Sequence, residues 1–284
     1  MRAIKTLFLL TALTLLLVLG GEALAGSRGM ELGLMIAVGM NGIAYFFSDK
    51  IALMSSGAQP VSREQLPRLY AVMERLTGKA GLPMPKLYVI PQPAPNAFAT
   101  GRNPSHASVA VTAGLMELMT DDELEGVIAH ELSHVRNYDI LITSIAATIA
   151  GAITFMARMG QFAMIFGGYG GSRDDRRGGG LSALLMIFLA PLAALFIQLG
   201  ISRQREYAAD ASGARMVGHP YGLISALEKL GAYNKRIPMN VPPATASLFI
   251  VAPLSAGQVF TGLFSTHPPL SERIAALRSM TVSR

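Results

Sequence analysis

Four uncharged apolar runs punctuate the chain: Thr6–Gly21 (16 residues), Leu32–Ser48 (17), Ile140–Ala157 (18) and Gly178–Ser202 (25). A helix that crosses a bilayer needs about 20 apolar residues, within a range of roughly 17–25. The runs therefore predict four hydrophobic helices. The first is short, and extends to Ser27 if Glu22 sits at the interface. Arg2, Lys5, the apolar core Thr6–Gly20 and the small residues Ala23-Leu24-Ala25 also have the layout of a cleaved signal peptide. The second run follows so closely that a helical hairpin fits better. A fifth uncharged stretch, Ala246–Phe264, contains Pro253, Gly257, Gln258 and Gly262. It reads as a buried or membrane-grazing part of the polar domain.

The stretches between the runs carry ordinary soluble patterning. Ser62 and Gln65 fit a capping box, and Leu66, Leu69, Val72, Met73 and Leu76 keep helical spacing, so 62–80 predicts a helix ended by Gly81. Pro83 and Pro85 break the chain. Lys86–Ile90, Asn96–Thr100 and Ala107–Thr112 are strand candidates, expected to form a small antiparallel sheet. Thr120, followed three residues on by Glu123, caps a further helix that runs toward the third apolar run. Later helices are predicted near Arg203–Val217, Pro220–Tyr233 and Ser271–Ser279. The expected fold is a mainly α integral membrane protein with four hydrophobic helices and one α+β polar domain. Its parts are a hairpin over 1–48, the first half of the polar domain over 49–139, two further membrane helices with a Gly-rich loop over 140–202, and the second half over 203–284.

Charge fixes the orientation. Segments 1–5, 49–139 and 203–284 carry 2, 8 and 9 basic residues, whereas the Glu22–Glu31 loop carries one, Arg28. Positive residues favour the cytoplasmic side, so the polar domain is expected in the cytoplasm. The four Arg of the 158–179 loop run against that trend. Composition then narrows the chemistry. Charged residues are 15% of the 284, against roughly 25% in soluble domains. Mean hydropathy is +0.41. The net charge of +6 comes without a dense basic, aromatic-interleaved stripe, so nucleic acid is not an expected partner. There is no cysteine. Any protein-held metal must therefore use His, Asp or Glu.

The informative segment is His130-Glu131-Leu132-Ser133-His134. Residues four apart share a helix face, so both imidazoles can reach one ion. Glu131, rotated by about 100° from His130, can stand beside that ion as a general base for water. Catalytic zinc usually takes three protein ligands. The third could be His106, His219, His267 or a carboxylate. Glu206 and Asp210, four apart on a predicted helix, are the strongest candidates: one can bind metal while the other accepts the second N–H of a ligating His.

These residues, with Asn96-Ala97-Phe98-Ala99-Thr100-Gly101, Val135-Arg136-Asn137-Tyr138-Asp139, Glu206-Tyr207-Ala208-Ala209-Asp210 and Ser265-Thr266-His267-Pro268-Pro269, stand in an order that resembles the HtpX family of membrane-bound zinc metalloproteases, relatives of the CAAX prenyl proteases. The resemblance covers nearly the whole chain. It implies a zincin-like protease domain and one Zn2+ per chain, held by His130, His134 and Glu206. It implies Glu131 as the catalytic base and Asp210 as the carboxylate behind a ligand. It also implies a bacterial-type inner membrane location with the site facing the cytoplasm, and damaged or misfolded membrane proteins as substrates in a stress response. His267 is the expected oxyanion donor, Tyr207 a weaker one. Asn96, Ala97, Phe98 and Ala99 offer a strand edge for a peptide. Two rival readings are a non-cleaving membrane chaperone or adaptor, with 16 Met as adaptable apolar surface, and a prenyl-protein endoprotease. Partners within a membrane protease assembly are not legible.

Overall fold

A computed structural model of the chain describes residues 2–167, 202–253 and 267–280, apart from 235, 238 and 240. The first two apolar runs form one helical element, α1 (Arg2–Ser55), that folds back on itself at Gly26, where φ is +61°. That left-handed value suits a residue without a Cβ. Asn41 Nδ2 donates to Thr14 Oγ1 at 2.8 Å across the two arms, and Leu9, Leu13 and Ala44 share one apolar cluster. The expected hairpin is therefore present. Within it, Gly26–Ser55 is long and apolar enough to cross a membrane, while Thr6–Glu22 is a shorter apolar helix. Leu7, Phe8, Leu15, Met35, Val38 and Phe46 point outward, exposed.

After the hairpin come β1 (Gln59–Pro60), α2 (Pro67–Ala80), β2 (Lys86–Ile90), β3 (Ala97–Gly101), β4 (Ala107–Thr112), α3 (Ala113–Leu118), α4 (Asp121–Arg136) and α5 (Asp139–Gly167). The predicted helix over 62–80 starts at Pro67 instead. Ser62 and Gln65 do pair, but as a turn in which the Ser62 N–H donates to Gln65 Oε1 at 2.8 Å. The sheet is mixed, not antiparallel, with order β1-β2-β4-β3. β2 and β4 are parallel, Leu87 opposite Val109, and β3 joins the far side of β4 antiparallel, Ala99 opposite Val109. β3 therefore lies at the edge, against α4.

α4 is capped as read. Thr120 Oγ1 accepts from the Glu123 N–H and Glu123 accepts from the Thr120 N–H. Burial would push the Glu123 carboxyl up, but hydrogen bonds from Lys229, Ser225 and Thr120 hold it down at about 2. A depressed carboxylate pKa stabilises the fold above the unfolded value, near 4.5, and loses that contribution as pH falls through the folded value. Acid unfolding is therefore expected to steepen between about pH 5 and pH 2. Glu123→Gln should flatten that limb in a urea midpoint series, and an unchanged limb would show the cap is not its origin.

α4 does not run on into the third apolar run. The chain turns by 86° between Arg136 and Asp139, through Tyr138 at φ 58°. Among the described residues, a second membrane-length apolar stretch arises only if α4 and Asp139–Thr154 are taken together across that bend. α5 continues helical to Gly167, through the first ten residues of the loop expected over 158–179, and the rest of that segment lies outside the described residues. Most of the fourth run, and residues 254–264 of the fifth stretch, lie outside the described residues, so the described part holds one clear membrane-length helix rather than four. The chain then gives α6 (Arg203–Val217), α7 (Tyr221–Asn234), α8 (Pro243–Ala246) and α9 (Leu270–Arg278). One core unites α2, the sheet, α4, α6, α7 and α9. The described end of the fifth stretch is buried there and beside it, through Phe249, Ile250 and Val251.

Candidate metal centre and active site

α4 is buried along most of its length, and two elements lie directly on its motif. α6 crosses at Gly213, where an added Cβ would sit 2.9 Å from the His130 backbone N. That close approach brings the first turns of α6 over the two histidines. β3 lies on the other side, and the Ala99 backbone hydrogen-bonds the Glu131 carboxylate.

One nitrogen from each of His130 and His134 and one oxygen of Glu206 lie within 4.8 Å of one another. The His130 and His134 Nε2 atoms are 3.2 Å apart. Glu206 Oε1 is 3.5 Å from His134 Nε2, and Oε2 is 3.9 Å from His130 Nε2. The other ring nitrogens are occupied by carboxylates. His130 Nδ1 lies 2.8 Å from Asp210 Oδ1 and His134 Nδ1 3.4 Å from Asp139 Oδ2. A carboxylate can only accept, so each Nδ1 carries hydrogen, and each Nε2, once it has given up any proton, presents a lone pair inward. Two lone pairs and an anion then converge, an arrangement that a cation satisfies.

The electrostatics agree. Burial would raise the Glu206 carboxyl, but His267, His134 and Arg273 hold it well below the usual carboxylate range. Burial favours neutral His134, yet Asp139, Glu206 and Glu131 outweigh it and raise the ring to about 9. Without metal the site therefore holds a proton that a cation would displace. Burial dominates at Glu131 and pushes its carboxyl up, against His130 and His134. Glu131 is 2% exposed and its Oε1 has no hydrogen-bond partner. It borders a cavity of about 30 Å³, lined also by Ala99, His134, Glu206 and Ser247, enough room for one or two waters. A buried carboxylate with one oxygen left unpartnered, lining water-sized space beside a cation position, suits a water-activating base.

His267 joins the cluster. Its Nδ1 lies 3.0 Å from Glu206 Oε2 and its Nε2 3.3 Å from the Ser247 carbonyl. Tyr207 turns away, its hydroxyl donating to Glu272 at 2.8 Å. His106 pairs with Asn103 and His219 stacks on Tyr221, so neither joins the cluster. The strand residues are adjacent to the site but engaged. Ala97 O accepts from the Ile250 N–H at 2.9 Å, Asn96 Nδ2 donates to Val251 O at 2.8 Å, and Phe98 packs edge-on against Phe249. Sequence reasoning gave no role to Asp139, behind His134, or to Arg273, which clasps Asp210 through two bonds of 2.8 and 2.7 Å. A signal for Arg273 existed: it lies on the apolar face Leu270, Ile274 and Leu277 of α9, where a lone charge needs a buried partner.

Comparison with known proteins gives the same direction. A family model, Peptidase family M48, matches residues 62–281. The Protease HtpX homolog of Desulfatibacillum aliphaticivorans is 57% identical over 274 residues, covering 96% of this chain and 88% of its own. That of Pelotomaculum thermopropionicum is 51% identical over 282 residues, covering 99% and 100%. That of Syntrophotalea carbinolica is 52% identical over 283 residues, covering 99% and 100%. The crystal structure of S. mikatae Ste24p superposes over 97% of this chain with a TM-score of 0.52 at 22% identity, and the match spans 65% of that longer chain. That last likeness is one of fold. A peptidase model over residues 62–281, and relatives matched almost end to end, rank hydrolysis above a non-cleaving adaptor: the chain belongs to peptidase family M48 and is a metallopeptidase.

Proposed function

We propose that the protein is a zinc-dependent endopeptidase of a bacterial inner membrane. It cleaves misfolded or damaged membrane proteins in a stress response, with its site facing the cytoplasm and four membrane helices anchoring it. The convergence of His130, His134 and Glu206 carries the zinc reading. Zinc bonds of about 2.0–2.2 Å in a tetrahedron put ligand atoms roughly 3.3–3.5 Å apart. Here the two Nε2 atoms are 3.2 Å apart, and Glu206 approaches them through different oxygens, Oε1 at 3.5 Å from His134 and Oε2 at 3.9 Å from His130. Two His and one carboxylate form a catalytic set with a fourth position left for reaction.

Zinc, when bound, supplies Lewis-acid polarisation of the scissile carbonyl and activation of water. Glu131 takes the proton of the attacking water and delivers it to the leaving amine. The Ala99 backbone holds that carboxylate in place. His267 serves as oxyanion donor once its Nε2 leaves the Ser247 carbonyl. A peptide adds to the outer edge of β3 at Asn96–Ala99 by taking the place of Ile250 on Ala97 O. An apolar cavity of about 480 Å³, lined in part by Leu13, Ala147, Gly151 and Ala244, begins one turn of α5 beyond Thr143 of the catalytic cavity. Its lining supports an apolar substrate.

The test is detergent-purified protein stripped with a chelator and then resupplied with zinc, with unfolded casein as substrate. Cleavage should vanish and return. Undiminished cleavage after complete metal removal would sink the reading.

A further inference from the structure

Arg273 heads the largest fully buried side chains among the described residues, at 0% exposed. It comes from α9, far in sequence from the His130–His134 motif. Burying a guanidinium is costly unless its donors are matched. Here Nε donates to Asp210 Oδ2 at 2.8 Å and one terminal nitrogen to Asp210 Oδ1 at 2.7 Å. The other donates to the Ile250 carbonyl at 2.8 Å. Such a two-bond clasp fixes the plane of the carboxylate as well as its charge. The same Asp210 Oδ1 lies 2.8 Å from His130 Nδ1. One oxygen therefore takes two donors, and its direction toward His130 is set by the arginine. Free of that clasp, Asp210 could rotate about its side-chain bonds, and His130 would lose the partner that keeps hydrogen on Nδ1.

We propose that Arg273 is a positioning residue for the metal centre: it locks Asp210 in the orientation that aims the His130 Nε2 lone pair at Glu206 and His134. The proposal rests on the metal reading above. It differs from a plain staple between α6 and α9, because a staple needs only opposite charges. Lysine would supply the charge but not the planar fork.

The experiment measures zinc affinity of the full chain in detergent by competition with a chromogenic chelator. It compares wild type, Arg273→Lys, Asp210→Asn and the double variant, and follows thermal unfolding of each metal-free protein. Arg273→Lys is expected to bind zinc about 10–100-fold more weakly, as outer partners of metal-ligating His do when altered. It should still unfold cooperatively. Asp210→Asn should match it, and the double variant should be no weaker than the weaker single, since both act through one contact. A Lys variant within about threefold of wild-type affinity, well under the expected 10–100-fold, would overturn the proposal. So would losses that add in the double variant. If Arg273→Lys does not fold, Arg273→Gln with Asp210→Asn leaves no buried charge of the pair unmatched. That chain must show the same weakening, and wild-type affinity in it would equally overturn the proposal. Absence of zinc binding by the wild type would instead bring down the metal reading itself.

Discussion

Glu131→Gln is expected to lower peptide hydrolysis by about 10²–10⁴-fold, the range for loss of a positioned general base, while the protein keeps its metal. Glu131 is buried, its Oε1 is unpartnered and no other carboxylate oxygen of the cavity is free in this way among the described residues. Glutamine fits the same volume and can still accept from the Ala99 backbone, but it cannot take up the proton of water. Stability should move the other way. Burial raises the Glu131 carboxyl. A raised folded pKa means the ionised form is disfavoured on folding, a cost present above the folded value and absent below the unfolded one. Metal-free Glu131→Gln should therefore melt no lower than metal-free wild type at neutral pH. Single-turnover cleavage of casein, metal content and thermal midpoints together check this. Wild-type cleavage by a zinc-loaded Gln variant would remove Glu131 from the mechanism.

Much of this site could be read from local sequence because local rules built it. The Thr120–Glu123 box, the four-residue spacing of the histidines and the bounds of the Arg203–Val217 helix each depend on residues within a turn or two. The sheet was less legible. β2 and β4 pair in parallel while β3, between them in sequence, moves to the outer edge. Alternation within three short strands does not encode which neighbours pair. β1 is two residues long and ends in Pro60, which suits an edge and leaves no periodicity. The 86° bend at Tyr138 uses a positive φ at a residue whose type gives no turn signal. Asp139 was visible as a charge at the start of an apolar run, but that His134 needs it appears only once the bend puts it there. His267 and Arg273 reach the cluster from 61 and 63 residues away from their partners Glu206 and Asp210, a separation no periodicity spans.

Glu206 carries the second large effect, because one side chain is both the proposed third metal ligand and the carboxylate that balances its surroundings. Glu206→Ala removes the oxygens that face His134 at 3.5 Å and His130 at 3.9 Å. It also strips His267 of its carboxylate partner at 3.0 Å and leaves Arg273, 3.8 Å away, with Asp210 alone. Two losses should follow: metal, and the balance of a buried charge cluster. Removing one member of a buried pair typically costs about 3–5 kcal/mol. Arg273 keeps its clasp on Asp210, so the lower end is expected. Glu206→Gln separates the two. Its amide oxygen can still accept from His267, so less stability is lost, but a neutral amide is a poor ligand for zinc. Both variants should lose zinc on dialysis and with it all casein cleavage, while only the alanine chain should melt substantially lower when compared metal-free. A Gln variant that retains one zinc per chain and cleaves at the wild-type rate would exclude Glu206 as a ligand. The centre would then need its third protein ligand from His267 or Asp139, the other metal-ligating side chains that contact the cluster among the described residues.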